Sequence, residues 1–131
     1  VEYGDVVTTR SRTRGTQVYD ALGDALDPRP TVVLINRDTA SAAEILAAAI
    51  QSYDLGTVVG EPSFGKGTFQ EVLTLPSGGA LDLTIGEYLT ADDVSLAGKG
   101  VQPDERGLDD PRTGPDEGLE AALRVLAPEL R

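Results

Sequence analysis

Cysteine, histidine, methionine and tryptophan are all missing from this 131-residue chain. Without cysteine there is no disulfide and no thiolate nucleophile, and the redox compartment is left open. The lack of histidine excludes more. It removes the usual base of a serine hydrolase, the commonest metal ligand and the usual proton shuttle near neutrality. An acid–base catalyst here has to be a carboxylate, a tyrosine or a lysine. Aromatic residues make up only 5%, so the core must be built from Val, Leu, Ile and Ala. No apolar run nears the ~20 residues that cross a bilayer as a helix, and no charged-then-apolar leader opens the chain. The chain starts without Met, at "VEYGDVV", and is expected to be a piece of something longer. The missing leader therefore says nothing about compartment.

Basic residues are scarce as well: 11 Lys and Arg against 22 Asp and Glu give a net charge of −11. Such a surface repels phosphate backbones, so nucleic acid is not an expected partner. The one basic cluster, "TRSRTR" at 9–14, has no interleaved aromatic and reads as a solvated loop or strand edge. Asp92–Asp93 and Asp109–Asp110 lack the spacing of a calcium loop and read as solvated turn residues. Neither a metal nor a cofactor is expected.

The length suits one domain, which buries roughly two-thirds of its unfolded surface. Apolar residues at 40%, charged residues at 25% and a mean hydropathy of −0.15 describe a globular chain. Residues 4–9 ("GDVVTT") predict a short strand, while 16–30 are ambiguous and end in a loop with two prolines. "TVVLIN" (31–36) is a continuous apolar run, as in a parallel strand covered on both faces. Across the alanine-rich 37–54, apolar residues recur at helical spacing, and Ser41 with Glu44 three residues on forms a capping-box pattern. "GTVVG" (56–60) completes a β–α–β unit over 31–60, whose right-handed crossover puts the helix on one face of the sheet. From Phe69 the period changes to two, and "FQEVLTL" and "GALDLTIGEYLT" flank "PSGG" as a hairpin. Residues 97–114 are turn-rich. Residues 115–127 predict a helix with Pro115 near its first turn, acids early and Arg124 late. The fold class is α/β: a β-α-β core with an antiparallel hairpin and a C-terminal helix.

"EPSFGKGTFQ" (61–70) sets Lys66 between Gly65 and Gly67, an entropically costly setting for a solvated lysine. Three readings compete. "GEPSFGK" (60–66) matches the start of a phosphate-binding loop, but Gly67 stands where a magnesium-holding Ser or Thr is needed, and a strand follows instead of a helix. A plain turn with Lys66 in water is the second reading. The third couples this loop to Ser41. A hydroxyl at a helix start lies beside backbone N–H groups and the positive end of the helix dipole, a setting that stabilises an oxyanion as well as it caps a helix. Serine needs a base, and in a chain without histidine a neutral lysine is the substitute. That lysine serves near neutral pH only if burial weakens its hold on its proton. Flanking glycines would let the Lys66 backbone press against the helix start, and Gln70 would aim the amine.

Ser41 in "TASAAE", Lys66 in "FGKG" 25 residues on, and Gln70 four later together resemble the C-terminal processing peptidases, tail-specific serine proteases with a Ser–Lys dyad. "VVLINRDTASAAEILAAAIQ", "VVGEPSFGKGTFQ", "LTIGEYLT" and "GKGVQPD" extend the likeness over about residues 31–104. The resemblance implies a crotonase- or Clp-protease-like α/β fold and a protease acting near the C-termini of protein or peptide substrates. Carried over residue by residue, it makes Ser41 the nucleophile, Lys66 the general base, Gln70 the residue orienting Lys66, and the backbone N–H of Ala42 one oxyanion donor. It also implies a location outside the cytoplasm, in the periplasm, cell envelope, thylakoid lumen or secreted space. In many members a PDZ domain holds the substrate tail.

The chain departs from that pattern in places. Ser52 stands where some members have an Asp eleven residues after the nucleophile, and it is given no role. "TADDVSLAGKG" replaces a turn that usually contains Pro and Gly. The family's Asn–Pro–Gly–Gly-like strand, source of a second oxyanion donor, is not in the chain, nor is a PDZ sequence. Residues 1–131 are accordingly expected to be a partial peptidase domain with little or no activity alone. The alternative is a non-catalytic ligand- or peptide-binding module of the same fold, against which the presence of both Ser41 and Lys66 counts.

Overall fold

The computed structural model describes residues 1–23, 27, 29–110 and 112–130. Its elements run β1 (Asp5–Ser11), β2 (Gly15–Asp20), β3 (Val32–Ile35), α1 (Ala42–Ser52), β4 (Thr57–Gly60), β5 (Thr68–Thr74), β6 (Ala80–Leu89), β7 (Glu105–Arg106) and α2 (Glu117–Leu126). A 3₁₀ turn at Ala127–Leu130 follows. The strands form two sheets, one antiparallel in the order β2-β1-β6-β5 and one parallel in the order β3-β4-β7.

In the parallel sheet β3 and β4 pair from Val32 opposite Thr57 to Ile35 opposite Gly60, so the expected β–α–β unit is present with α1 as its crossover. Successive strand residues face opposite ways, and Val58 and Val59 of β4 are both fully buried. Val58 packs with Ile35, Leu96, Val101 and the α1 residues Ala47 and Ala48. Val59 packs with Ala121 and Ala122 of α2. The two helices therefore cover opposite faces, which is why 31–36 and 56–60 read as unbroken apolar runs. Each fully buried valine contributes about 1.5–3 kcal/mol relative to exposure.

Helix α1 begins at Ala42, directly after the Ser41 that the capping-box pattern marks as its start within 37–54. The carboxamide oxygen of Asn36 accepts the N–H groups of Asp38 (3.0 Å) and Thr39 (3.2 Å), and this side-chain turn keeps 37–40 out of the helix. In α2 the cap is Asp116, whose Oδ1 accepts the Leu119 N–H at 2.7 Å. Pro115 lies just ahead of that cap, with Glu117 and Glu120 early and Arg124 late as expected.

The two-residue β7 was not anticipated, since so short a strand has no period to read. Asp104 prepares it. Its N–H donates to the Val58 carbonyl and its Oδ2 accepts the Val58 N–H, both at 2.8 Å. Gln51 of α1 donates to its Oδ1 at 2.6 Å. A side chain thus continues the ladder where backbone pairing has not yet begun.

The hairpin predicted around 76–79 joins β5 and β6, with Gly78 and Gly79 at φ +82° and +91°. Strand β2 begins at Gly15 and runs into the ambiguous 16–30, and residues 24–26 and 28 of that stretch fall outside the described residues. "TRSRTR" ends β1 and turns toward β2. Arg10 pairs with Glu87 and Arg14 with Glu71, so two of its three cations are held by the sheet itself.

Glu87 ties this sheet together. One oxygen accepts the Ser95 hydroxyl at 2.6 Å and the other takes Arg10 Nε and Nη2 at 3.1 and 2.9 Å. The Ser95 hydrogen bond, and then Arg10, hold its carboxyl below the ordinary glutamate range. A lowered folded-state value means stability that is fully present above the unfolded value and lost as pH falls through the folded one. Glu87→Gln should therefore lower the denaturation midpoint at pH 7, and the gap from the parent chain should close as pH drops through and below the ordinary carboxylate range. A gap that stays constant with pH refutes this role.

Candidate functional site

Ser41 follows the carboxyl end of β3, and Lys66 stands on the loop that leaves its neighbour β4. Open α/β sheets bind ligands outside the carboxyl ends of their strands, and the topology brings both residues to that edge.

The backbone of Ser41 is unusual: φ is +58° and ψ is −121°. The Ala43 N–H reaches the Ala40 carbonyl at 3.3 Å, closing a type II′ turn in which Ser41 takes the position that glycine normally fills. Backbone strain of this kind costs roughly 1–3 kcal/mol and collects at functional sites. The capping box expected from Ser41 and Glu44 is present in outline. However, the Glu44 N–H goes to the Ser41 carbonyl at 2.9 Å, and the Ser41 hydroxyl makes no cap hydrogen bond. Ala42, next along, donates its N–H to no partner among the described residues. A hydroxyl and an unpartnered N–H thus stand side by side at a helix start, where the dipole favours negative charge.

The glycines around Lys66 answer to a different neighbour from the one expected. A Cβ on Gly67 would lie 2.1 Å from the Ala97 nitrogen, and one on Gly65 would lie 3.0 Å from the nitrogens of Lys99 and Gly100. It is the turn 96–100 that crosses this backbone, and Gly65 accepts the Gly98 N–H at 2.9 Å. The approach to the helix start is also real, but it is made through hydrogen bonds. The N–H of Gly65 donates to Glu44 Oε1 at 2.7 Å, and that of Lys66 to Glu44 Oε2 at 2.9 Å.

Glu44 is the residue whose importance the sequence reading missed. It is fully buried, and it also accepts the Ser41 N–H at 2.8 Å and the Ser63 hydroxyl at 2.5 Å. Ser63, itself buried, accepts the Val101 N–H at 2.7 Å. The S-x-x-E spacing identified Glu44 only as a capping partner; nothing local in the sequence signals its burial.

Not every expected contact forms. Lys66 is exposed, so the dry surroundings assumed for its amine are not built by this chain. Among the described residues, no hydrogen bond joins the Lys66 amine to the Ser41 hydroxyl. Gln70 is also exposed, and its amide reaches Thr68 and Thr84 at 3.3 and 3.4 Å, not Lys66. A cavity of about 520 Å³ at the carboxyl ends of the parallel strands includes Asn36, Thr39, Glu61 and Asp109 in its lining, but neither Ser41 nor Lys66. There desolvation, then the hydrogen bond to Glu117 and the charge of Asp116, push the Asp109 carboxyl up.

A family model described as peptidase family S41 matches residues 1–106. The carboxy-terminal-processing protease of Bartonella bacilliformis is 44% identical over 103 residues, which is 77% of this chain and 24% of that protein. The chloroplastic C-terminal processing peptidase of Tetradesmus obliquus is 39% identical over 127 residues, 96% of this chain and 27% of its own. Among solved structures, the photosystem II D1 C-terminal processing protease matches with a TM-score of 0.76 at 39% identity, over 96% of this chain and 32% of that one. A lipoprotein from Streptococcus agalactiae shares the fold, with a TM-score of 0.74 at 15% identity over 96% and 45% of the two chains. The chain spans about a quarter of the length of these curated relatives.

The strained turn makes a test that needs no activity. Glycine adopts a positive φ without steric cost, whereas alanine keeps the strain. Ser41→Gly should therefore be more stable than Ser41→Ala by about 1–2 kcal/mol in chemical denaturation. Equal stabilities, or a more stable alanine variant, would mean that the turn is relaxed.

Proposed function

Since the chain belongs to peptidase family S41, we propose that it is part of the catalytic domain of a serine endopeptidase that cuts proteins near their C-termini through a Ser41–Lys66 dyad. The observation that carries this is the Ser41 turn: a strained serine at a helix start, its hydroxyl uncapped, beside the unpartnered Ala42 N–H. A helix cap needs no such strain.

In this mechanism the Lys66 amine takes the proton of the Ser41 hydroxyl as the oxygen attacks the scissile carbonyl. The Ala42 N–H donates to the developing oxyanion, and the helix dipole adds to its stabilisation. The Lys66 ammonium then returns the proton to the leaving amine, and an acyl-enzyme on Ser41 remains. Water, with Lys66 again as base, releases the product acid and restores the serine. Gln70 aims the lysine once the site closes.

The proposal includes what lies around this chain. A strand upstream supplies the second oxyanion donor, a PDZ domain holds the substrate tail, and the complete core is crotonase- or Clp-protease-like. One missing donor costs ~10²–10³ in turnover, and here the Lys66 side chain is in addition exposed. Residues 1–131 alone should therefore have little or no activity. An extracytoplasmic location belongs to the same proposal and rests on the family likeness.

The exposed lysine does favour one other reading, a non-catalytic module that binds peptides or apolar ligands. Such a module has no use for backbone strain at Ser41, which ranks it second.

In the full-length protein, Ser41→Ala and Lys66→Ala should each abolish cleavage of a tail peptide while leaving the thermal midpoint near that of the parent. Retention of most activity by Lys66→Ala eliminates the dyad. Tight peptide binding with no labelling of Ser41 by a serine-directed covalent probe establishes the binding module instead.

A further inference from the structure

We propose that Glu44 is a positioning residue, whose buried carboxylate sets the backbone of the nucleophile and the backbone of the base in one frame. This rests on the reading of Ser41 and Lys66 as the dyad.

The geometry is specific. Oε2 of Glu44 accepts the N–H of Ser41 at 2.8 Å and the N–H of Lys66 at 2.9 Å, so a single oxygen holds the main chain of both dyad residues. Oε1 accepts the Gly65 N–H at 2.7 Å and the Ser63 hydroxyl at 2.5 Å. All four partners donate, which suits an ionised carboxylate, because that group only accepts. Hydrogen bonds to an ionised acceptor are stronger than neutral ones and hold geometry more tightly. Glu44 is completely inaccessible to solvent, so water cannot substitute for a donor that moves away. A cap placed only to start a helix satisfies its own first turn. Here three of the four donors come from residues 63–66, far along the chain and on the loop that carries the base.

The arrangement also dictates what each replacement does. In Glu44→Gln the amide oxygen can serve one pair of donors, while the NH₂ group faces the other pair. Whichever way the amide turns, at least one backbone N–H, of Gly65 on one side or of Ser41 and Lys66 on the other, is opposed by another donor. The loop must then shift relative to the helix start with side-chain volume almost unchanged. Glu44→Asp keeps the charge but shortens the reach, so it cannot bridge both segments at their present separation. Misplacing reacting groups by about an ångström costs on the order of 10² in rate.

The test uses the full-length protein. Glu44→Gln, if folded by thermal midpoint and circular dichroism, should show kcat reduced about 10²-fold with KM changed much less. Labelling of Ser41 by a serine-directed phosphonate should slow in parallel, and the pH at which the rate rises should move, because the base has been displaced. A folded Glu44→Gln protein with parental kcat and pH profile overturns the inference and leaves Glu44 as a structural cap. Should Glu44→Gln not fold, Ser63→Ala takes its place: it removes one donor to the carboxylate and leaves the three backbone donors. It should move kcat and the pH profile in the same direction by a smaller factor, and an unchanged profile again overturns the inference. Lys66→Ala separates the two levels of the argument. If it is inactive while Glu44→Gln is unaffected, only the positioning role falls; if it is active, the dyad itself falls.

Discussion

A carboxylate taken wholly out of water destabilises a fold unless the donors around it replace its hydration. Glu44 meets that requirement with four donors from the helix start and from residues 63–66. Through Ser63, which accepts the Val101 N–H, the segment after the 96–100 turn is drawn into the same network. Three stretches of chain are thereby held in register around one buried charge. None can move by much without leaving a donor, or the carboxylate, unsatisfied. The strained turn at Ser41 is sustained by this constraint, since its N–H is one of the four and its carbonyl already receives the N–H groups of Glu44 and Ile45.

The sheet explains why these stretches meet at all. Strands β3 and β4 are adjacent and parallel, so the loops leaving their carboxyl ends emerge on the same side. The apolar faces of β4 fix its depth, with Val58 under α1 and Val59 under α2. Asp104 then fixes the third neighbour, using its side chain to extend the ladder on β4 before β7 begins. Gly60, at φ +133°, allows β4 to end against β3, where a Cβ would lie 1.9 Å from the Ile35 carbonyl oxygen. From there the chain passes to 61–67 and crosses under the turn 96–100, an approach that only glycines at 65 and 67 permit.

Much of this was legible in the sequence, for identifiable reasons. Buried parallel strands read as unbroken valine and isoleucine runs, and the hairpin read as alternation around "PSGG", because both patterns are local. The glycines flanking Lys66 correctly signalled a close backbone approach, but the neighbour was chiefly Leu96–Gly100, a non-local fact. Strand β2 was hidden because its residues are all exposed, with no apolar face to give a period. Ser41 read as a cap by spacing, and its positive φ has no marker in a serine. Glu44 is the instructive case: its type and position were noticed, whereas its burial and its long-range donors depend on the fold around it.

The two demands of the proposed Ser41–Lys66 pair separate in this chain. Backbone placement is met internally, because Glu44 Oε2 joins the N–H of residue 41 to that of residue 66. Dryness of the amine is not met, because Lys66 is exposed, and Phe64 two residues before it is 65% accessible. The loop backbone beside it is tied down, with the Phe64 N–H on the Thr39 carbonyl at 2.9 Å, so what lies open to water is side chain. In water a lysine keeps its proton, and desolvation is what disfavours the charged form. For the proposed dyad, placement of the base would therefore rest on a carboxylate inside this chain, and its activation on contacts beyond those that the described residues make.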